Sequence, residues 1–308
     1  MPRKLYRFDG MTFVLEADSP MCEPFRVGAG EPADHTVRLT FSDRVPDPPQ
    51  NALRQGPLYR WYTGSARCTL QRYSAPGRTP QFTYAETRPG HTDLVFAESY
   101  RTGASARVVL ESAGLFDILA DAGMLVLHSA YIVTRQGEGI LFSGPSGIGK
   151  STQAALWQRY GAAQTVNGDR ALVRPDTGTV SGVMYAGTSG ICRNVTAPLR
   201  AVVLLHQAPE SRVTDIRPQE AFARVLSQCA YHQWDPASAA RMTELAARLV
   251  TNVPVRQLDC RADESAVRAG RSIKEDLKWN SAARSPGCHR TCTPGPAGPE
   301  RPWPGILS

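Results

Sequence analysis

The sequence predicts an α/β fold in which a domain of alternating strands and helices follows a β-rich N-terminal region. Two observations support this prediction. The first hundred residues contain short runs of β-formers separated by turn-rich stretches, whereas from about residue 124 apolar strand-like runs alternate with helical segments. The chain has 308 residues, of which 42% are apolar and 20% are charged, as in ordinary globular proteins. It is therefore long enough to bury a sizeable core.

The N-terminal region is predicted to be rich in strands. Residues 37–41 alternate apolar and polar side chains with the period of two that half-buried strands show. Residues 92–100 and 106–110 are further runs of β-formers, and residues 46–51 and 75–80 are rich in turn formers. Apolar side chains at helical spacing between residues 115 and 122 predict a short connecting helix.

From residue 124 onwards the chain is predicted to alternate between strands and helices. Short apolar runs predict strands at residues 124–127, 139–142, 201–205 and 253–258. Composition and spacing predict helices at residues 151–160, 219–229, 236–250 and 263–277. Alternation of this kind is typical of α/β domains.

We divide the chain into the β-rich residues 1–122, the α/β residues 123–278 and a tail, residues 279–308. The tail is rich in Pro, Gly, Ser and Arg, so it buries too little apolar surface to offset its ordering entropy. We therefore predict that it is disordered. Cys288, His289 and Cys292 within it fall short of the four protein ligands of a structural zinc site, so no metal is expected there.

Charge and cysteine content indicate which partners and compartment to expect. The formal net charge of +7 favours anionic partners, although arginines scattered over the surface explain it equally well. The sequence has no block of about five or six like charges, which argues against a nucleic-acid partner. The N-terminus lacks the apolar run of a signal peptide, and residues 114–133 are too often interrupted by polar groups to form a membrane span. Seven irregularly spaced cysteines are interpreted as reduced thiols, so we expect a cytoplasmic protein without a membrane partner.

The strongest motif is a glycine-rich loop between a predicted strand and a predicted helix. Residues 144–151 read G-P-S-G-I-G-K-S and match G-x-x-x-x-G-K-[ST] at every fixed position. Glycines allow consecutive backbone N–H groups to turn into one concavity, which holds a polyphosphate together with the N-terminus of the following helix. The lysine meets the β- and γ-phosphates, and the serine hydroxyl ligates Mg²⁺. The predicted nucleotide-binding residues are Gly144, Pro145, Ser146, Gly147, Ile148, Gly149, Lys150, Ser151 and Thr152.

A second candidate group is an acidic turn downstream of the loop. Residues 165–170 read T-V-N-G-D-R and precede an apolar run at residues 171–173. In many P-loop proteins an acid after an apolar strand ligates the metal, so Asp169 is a candidate metal ligand. A simple Asn-Gly-Asp turn explains the local sequence equally well. The sequence contains no Asn-Lys-x-Asp motif, so guanine specificity has no support.

Taken in order, these landmarks resemble those of a known family. Residues 128–277 resemble the P-loop kinase domain of HPr serine kinase/phosphorylase and of its HPr-kinase-like and PEP-carboxykinase-like relatives. The matching features are a strand led by His128, the loop at residues 140–152, the acidic turn at residues 167–170 and a glycine-containing loop at residues 187–194. The resemblance implies a P-loop kinase domain of the HPr-kinase/PEP-carboxykinase type behind the β-rich N-terminal region.

The resemblance also implies an activity and a set of site residues. The expected reaction transfers the γ-phosphate of ATP to a hydroxyl, with a serine of a peptide or small protein as the acceptor. ATP and Mg²⁺ are the implied cofactors, with Ser151 and Asp169 as metal ligands. Lys150, Asp169, His128 and Arg193 are the implied catalytic residues. Arg193 would clamp a phosphate or an acidic substrate through its paired donors, although a surface salt bridge explains it equally well.

One departure from the family pattern leaves alternatives open. The family carries two adjacent aspartates at its acidic site, whereas here Gly168 precedes Asp169. Either Asp169 is both metal ligand and proton acceptor, or His128 takes the second role; a hydrogen-bonded core histidine is the other interpretation of His128. A small-molecule kinase on the same scaffold and a non-catalytic nucleotide-binding regulator are the alternative functions. The oligomeric state stays open, with a homo-oligomer as one option.

Overall fold

The computed structural model describes residues 3–16, 23–28, 30–44, 54–55, 59–63, 67–73, 81–233 and 235–275. The protein is a mixed α/β protein with two mixed β-sheets. The predicted disordered tail, including Cys288, His289 and Cys292, lies outside the described residues. The predicted turns at residues 46–51 and 75–80 lie outside them too.

The first sheet confirms the prediction of a β-rich N-terminal region. Its strands within the described residues are β1 (Arg3–Phe8), β2 (Met11–Glu16), β3 (Arg26–Val27), β4 (His35–Ser42), β5 (Arg54–Gln55), β6 (Tyr59–Thr63), β7 (Arg67–Tyr73), β8 (Gln81–Arg88) and β9 (His91–Ala97). Their order is β3-β1-β2-β4-β9-β8-β7-β6-β5. β4 pairs in parallel with β2 and with β9, and the other neighbours are antiparallel. Alternate side chains of β9 are buried, as its sequence pattern requires.

The prediction of β-structure at residues 106–110 is wrong, because these residues begin helix α1 (Ala106–Ser112). Ser105 caps this helix, since its hydroxyl accepts a hydrogen bond from a backbone N–H of the first turn. Val109 and Leu110 are buried in the core. The helix thus buries its branched side chains against neighbouring elements, and this packing overrides their strand propensity.

A second sheet follows helix α2 (Leu115–Asp121), which confirms the predicted connecting helix. Its strands are β10 (Leu125–Val133), β11 (Gly139–Ser143), β12 (Gln164–Asn167), β13 (Arg170–Arg174), β14 (Thr179–Gly182), β15 (Thr196–Gln207), β16 (Arg212–Asp215) and β17 (Val255–Cys260). The main order is β11-β10-β13-β14-β15-β17-β16, with β12 beside β10. β15 pairs in parallel with β11 and with β17. The four strands predicted in this region are confirmed within β10, β11, β15 and β17, with shifted ends.

The four helices predicted in this region are also confirmed. They are α3 (Lys150–Tyr160), α4 (Pro218–Leu226), α5 (Pro236–Asn252) and α6 (Glu264–Glu275). Successive residues of β15 point to opposite faces: Val202 packs in the cluster with α4 and α5, and Val203 in the cluster with α3 and α6. The second sheet is therefore covered on both faces. In the described part of the chain, no helix combines the length and the apolar character needed to cross a bilayer.

A shared core joins the first sheet, the helices α1 and α2, and the second sheet. Phe13 of β2, Leu119 of α2 and Leu172 of β13 belong to one buried cluster. At its edge Arg174 Nε donates a hydrogen bond of 2.8 Å to Asp9 Oδ2. These contacts hold α1 next to the second sheet, where the glycine-rich loop lies.

His35 gives the first sheet a stability that depends on pH. The residue is 4% exposed, and its Nε2 lies 2.9 Å from Thr92 Oγ1 on the neighbouring strand. Burial, with a smaller effect of His91, lowers the pKa of His35 from 6.5 to about 4. The folded state therefore takes up this proton less readily than the unfolded state does. The contribution of neutral His35 to the free energy of unfolding is therefore complete above pH 6.5 and is lost as the pH falls through 4.

As the pH falls from 6.5, the pKa of His35 in the unfolded state, to about 4, its pKa in the folded state, the free energy of unfolding should fall by about 3 kcal/mol because of this one group. His35→Gln keeps a hydrogen-bond donor but does not titrate, so it should remove that part of the pH dependence in urea unfolding experiments. His91→Gln on the adjacent strand is the control and should retain most of it. Equal pH dependence in the wild type and His35→Gln would contradict this account.

Candidate functional site

The glycine-rich loop connects β11 to α3, beside the parallel strand β15. Gly147 and Gly149 have φ angles of 81° and 109°, a backbone region that glycine adopts without strain. Gly149 is also the N-cap of α3, and no side chain caps this helix. The first backbone N–H groups of α3 therefore have neither an intrahelical acceptor nor a side-chain cap, which is the arrangement that binds anions.

Lys150 is the first residue of α3 and is 7% exposed. Its Nζ donates hydrogen bonds of 2.9 Å to the carbonyl oxygens of Gly144 and Pro145. Burial lowers the pKa of Lys150; the Asp169 carboxylate opposes this shift and Arg170 adds to it. An ammonium group has three donors, so one N–H remains for an anion held by the loop.

The acidic turn lies directly beside the loop. Ser151 Oγ donates a hydrogen bond of 3.3 Å to the carbonyl oxygen of Gly168. Asn167 is fully buried, and its Oδ1 accepts hydrogen bonds from the backbone N–H groups of Asp169 at 3.0 Å and Arg170 at 3.1 Å. The hydrogen bond from Ser151 to Gly168 therefore connects the two predicted metal ligands, because Gly168 immediately precedes Asp169.

The Asp169 carboxylate lies among three basic side chains. Its Oδ2 is 3.5 Å from an Arg107 terminal nitrogen and 3.6 Å from Arg170 Nε. Its Oδ1 is 3.6 Å from His128 Nε2. These distances exceed those of normal hydrogen bonds, and the buried Oδ2 has no hydrogen-bond partner within the described residues. The carboxylate therefore has unused capacity to accept a hydrogen bond or to ligate a cation.

His128 lies on β10, paired with Arg170 of β13. Burial, followed by the charges of Lys150 and Arg170, lowers the pKa of His128, and these effects exceed the opposing effects of Asp169 and of a hydrogen bond with the Gln228 side chain. The neutral imidazole is therefore the form at neutral pH. Its backbone carbonyl accepts a 2.8 Å hydrogen bond from Ser143 Oγ, at the end of the strand that enters the loop. The structure thus brings His128, Lys150 and Asp169 together.

The glycine-containing loop after β14 packs against the acidic turn. A Cβ atom at Gly187 would lie 2.3 Å from the Cβ of Asp169, and one at Gly168 would lie 2.4 Å from Ser189 Oγ. The two backbone segments approach this closely because both positions are glycine. The loop therefore forms one wall of the site.

Arg193, predicted to act as a clamp, lies farther along the same loop. Its backbone N–H donates a 3.1 Å hydrogen bond to the Val166 carbonyl, and its side chain is exposed. In the described structure, no ion pair joins this side chain to Asp169. The structure anchors the Arg193 backbone near the turn and does not bring its guanidinium group to the carboxylate.

Two residues of α1 reach the site although the sequence did not indicate them. Arg107 contacts Asp169, and its Nε donates a 2.9 Å hydrogen bond to Glu111 Oε1. Tyr185 lies in the same cluster: burial, and then the Glu111 carboxylate, raise the pKa of its hydroxyl. The i,i+4 spacing of Arg107 and Glu111 is a helical signal, but the β-branched residues between them predicted a strand instead.

Comparison with known proteins assigns no family to this geometry. No protein-family model matches the chain, and no curated protein is significantly similar to it in sequence. The resemblance to the HPr kinase family therefore stays a prediction based on the motifs quoted above.

The close packing at Gly187 gives a prediction for stability. Gly187→Ala forces a methyl group onto Asp169, so we expect a loss of about 1–3 kcal/mol in the free energy of unfolding, measured in urea. Gly190→Ala in the same loop is the control, because a Cβ there meets no atom within 4 Å and only its φ of 67° is strained. If Gly187→Ala lowers the free energy of unfolding no more than Gly190→Ala does, the loop moves away from Asp169 without a measurable cost, and this prediction is wrong.

Proposed function

We propose that the protein is a Mg²⁺-ATP-dependent kinase that transfers the γ-phosphate to a hydroxyl, with a serine of a peptide or small protein as the acceptor. The observation that carries this proposal is the hydrogen bond from Ser151 Oγ to the Gly168 carbonyl. It joins an anion-binding loop that contains the buried Lys150 to a turn that presents the Asp169 carboxylate. A phosphate cradle beside an acidic group is the combination that phosphoryl transfer uses.

The residues at the site fit a magnesium ion bound together with a nucleotide. Mg²⁺ in such sites takes one or two protein oxygens and completes its shell with phosphates and water. Ser151 and Asp169 supply two such oxygens. Across the described ranges, no group of three or more His, Cys, Asp or Glu side chains offers an all-protein metal site. When bound, Mg²⁺ would supply positive charge that polarises the phosphoryl group.

A cavity beside the loop supports binding of the nucleoside part of ATP. It has a volume of about 310 Å³, within the range of small-ligand pockets. One side is formed by residues 147–149 and Thr152, and the other by Gln207 and Arg261. Gln207 Nε2 lies 3.5 Å from the Ile148 carbonyl, so the two sides meet at the loop. A phosphate chain held by α3 would place a base within reach of this cavity.

The side chains around Asp169 match the needs of the reaction. Transfer forms a bond from the acceptor oxygen to the γ-phosphorus and breaks the bond from that phosphorus to the bridging oxygen, which keeps the electron pair. The acceptor hydroxyl loses its proton, for which Asp169 and the neutral His128 are the available bases. Lys150 offers a positive charge in a buried setting, where it stabilises the charged phosphoryl oxygens more strongly than it would in water.

Incubation of the purified protein with γ-labelled ATP, Mg²⁺ and separate panels of serine peptides and small hydroxyl compounds tests the proposed function. Label on a peptide supports it. Label only on small compounds supports the small-molecule kinase instead. Binding of ATP without transfer in either panel contradicts a kinase and leaves a nucleotide-binding regulator.

Lys150→Ala should reduce phosphoryl transfer by at least about 100-fold, because it removes the one cationic group held inside the loop by two carbonyl oxygens. Lys4→Ala removes the same charge from the first sheet and should leave the rate unchanged. Thermal unfolding of both variants checks that the fold persists. A folded Lys150→Ala protein with wild-type turnover would exclude the loop from the reaction.

Asp169→Asn separates the two roles of this carboxylate. The amide keeps the size of the side chain but loses the charge that a metal requires and the basicity that a proton acceptor requires. If Asp169 only ligates Mg²⁺, raising the Mg²⁺ concentration should restore much of kcat. If it also accepts the proton, kcat should stay low at saturating Mg²⁺ while ATP still binds. Wild-type kcat at ordinary Mg²⁺ would show that residues 167–169 form only a turn.

A further inference from the structure

A guanidinium group from the N-terminal region reaches the Asp169 carboxylate. Arg107 lies on α1, and its terminal nitrogen is 3.5 Å from Asp169 Oδ2. One helical turn later, Glu111 Oε1 accepts a 2.9 Å hydrogen bond from Arg107 Nε. The hydrogen bond to Glu111 restricts the direction of the guanidinium, which attracts the Asp169 carboxylate at 3.5 Å without a hydrogen bond between them.

The two oxygens of the Asp169 carboxylate have different surroundings. Oδ2 is buried and faces the guanidinium groups of Arg107 and Arg170, whereas Oδ1 faces His128. The two oxygens are chemically equivalent, so a half-turn of the carboxylate changes nothing, whereas a smaller rotation would move one oxygen away from the two arginines and the other away from His128. The arginines thus keep one carboxylate oxygen beside His128.

The two arginines differ in how they are held. Arg170 belongs to β13, pairs through its backbone with His128, and has a side chain only 16% exposed. The Arg107 side chain is 41% exposed and comes from a helix that follows the first sheet. Its contact with Asp169 therefore depends on the packing of α1 and α2 against the second sheet. Because it is partly exposed, its replacement removes little buried surface.

We propose that Arg107 is a positioning residue for phosphoryl transfer. Held by Glu111, it attracts the nearer oxygen of the Asp169 carboxylate, so that the other oxygen remains available to the acceptor hydroxyl or the metal. The N-terminal region is then part of the active site and not only a neighbouring sheet. This inference rests on the proposed kinase function, but it concerns a residue that the phosphate-binding motif does not include.

The test compares kcat and KM among variants of the full chain. Arg107→Ala should lower kcat about 10- to 100-fold and change KM for ATP by less than about twofold, because it misorients the acid without touching the nucleotide cradle. Arg107→Lys keeps a positive charge near Oδ2 and should recover part of kcat. Arg248→Ala is the matched control, because it also removes an arginine paired with a glutamate one helical turn away, on α5.

A second comparison asks whether Arg107 acts through Asp169. In single-turnover measurements, adding Arg107→Ala to Asp169→Asn should slow transfer no further, since no carboxylate remains to be oriented. Additive losses in the double variant would overturn the inference. Wild-type kcat in a folded Arg107→Ala protein would do the same, or wild-type kcat in Arg107→Gln if the alanine variant does not fold. Absence of transfer by the wild type would instead overturn the proposed function itself, together with this inference.

Discussion

The hydrogen bond between the Ser151 hydroxyl and the Gly168 carbonyl is the contact on which the rest of the site depends. It ties the first turn of α3 to a turn whose shape is set by the buried Asn167. The Asn167 amide also donates a 2.9 Å hydrogen bond to the Tyr185 carbonyl, which anchors the loop wall to the same turn. Three separate segments therefore meet at one point. A shift in any of them would move the Asp169 carboxylate away from the anion-binding loop.

The basic side chains at this site outnumber the carboxylates beside them. Lys150, Arg107 and Arg170 lie around the Asp169 carboxylate, and Arg107 also pairs with Glu111. Burial is the main cause of the lowered pKa values of Lys150 and His128, and the charge of Arg170 adds to both shifts. In the proposed function, a bound polyphosphate would bring negative charge to these basic groups, so the same charges would strengthen the binding of a nucleotide.

The sequence predicts the glycine-rich loop and the elements on either side of it because their signals are local. The glycine-rich loop, the preceding strand and the following helix lie within one short stretch, and each was predicted from neighbouring residues. Arg107 was missed because its role arises from tertiary packing between α1 and β13, and the β-branched residues beside it indicated the wrong element. The close approach of Gly187 to Asp169 likewise depends on a loop that folds back from β14. The exposed Arg193 side chain makes no ion pair with Asp169 in the described structure, and its role as a clamp for a substrate stays a prediction.

Calorimetric titration with ATP, with and without Mg²⁺, tests most directly whether the loop and the acidic turn form one metal–nucleotide site. In the wild type we expect Mg²⁺ to increase the affinity for ATP by about tenfold or more, since two protein oxygens and the phosphates share the ion. In Asp169→Asn the affinity without Mg²⁺ should persist while the gain from Mg²⁺ is lost. An equal gain from Mg²⁺ in both proteins would show that Asp169 does not belong to the site and would contradict the account.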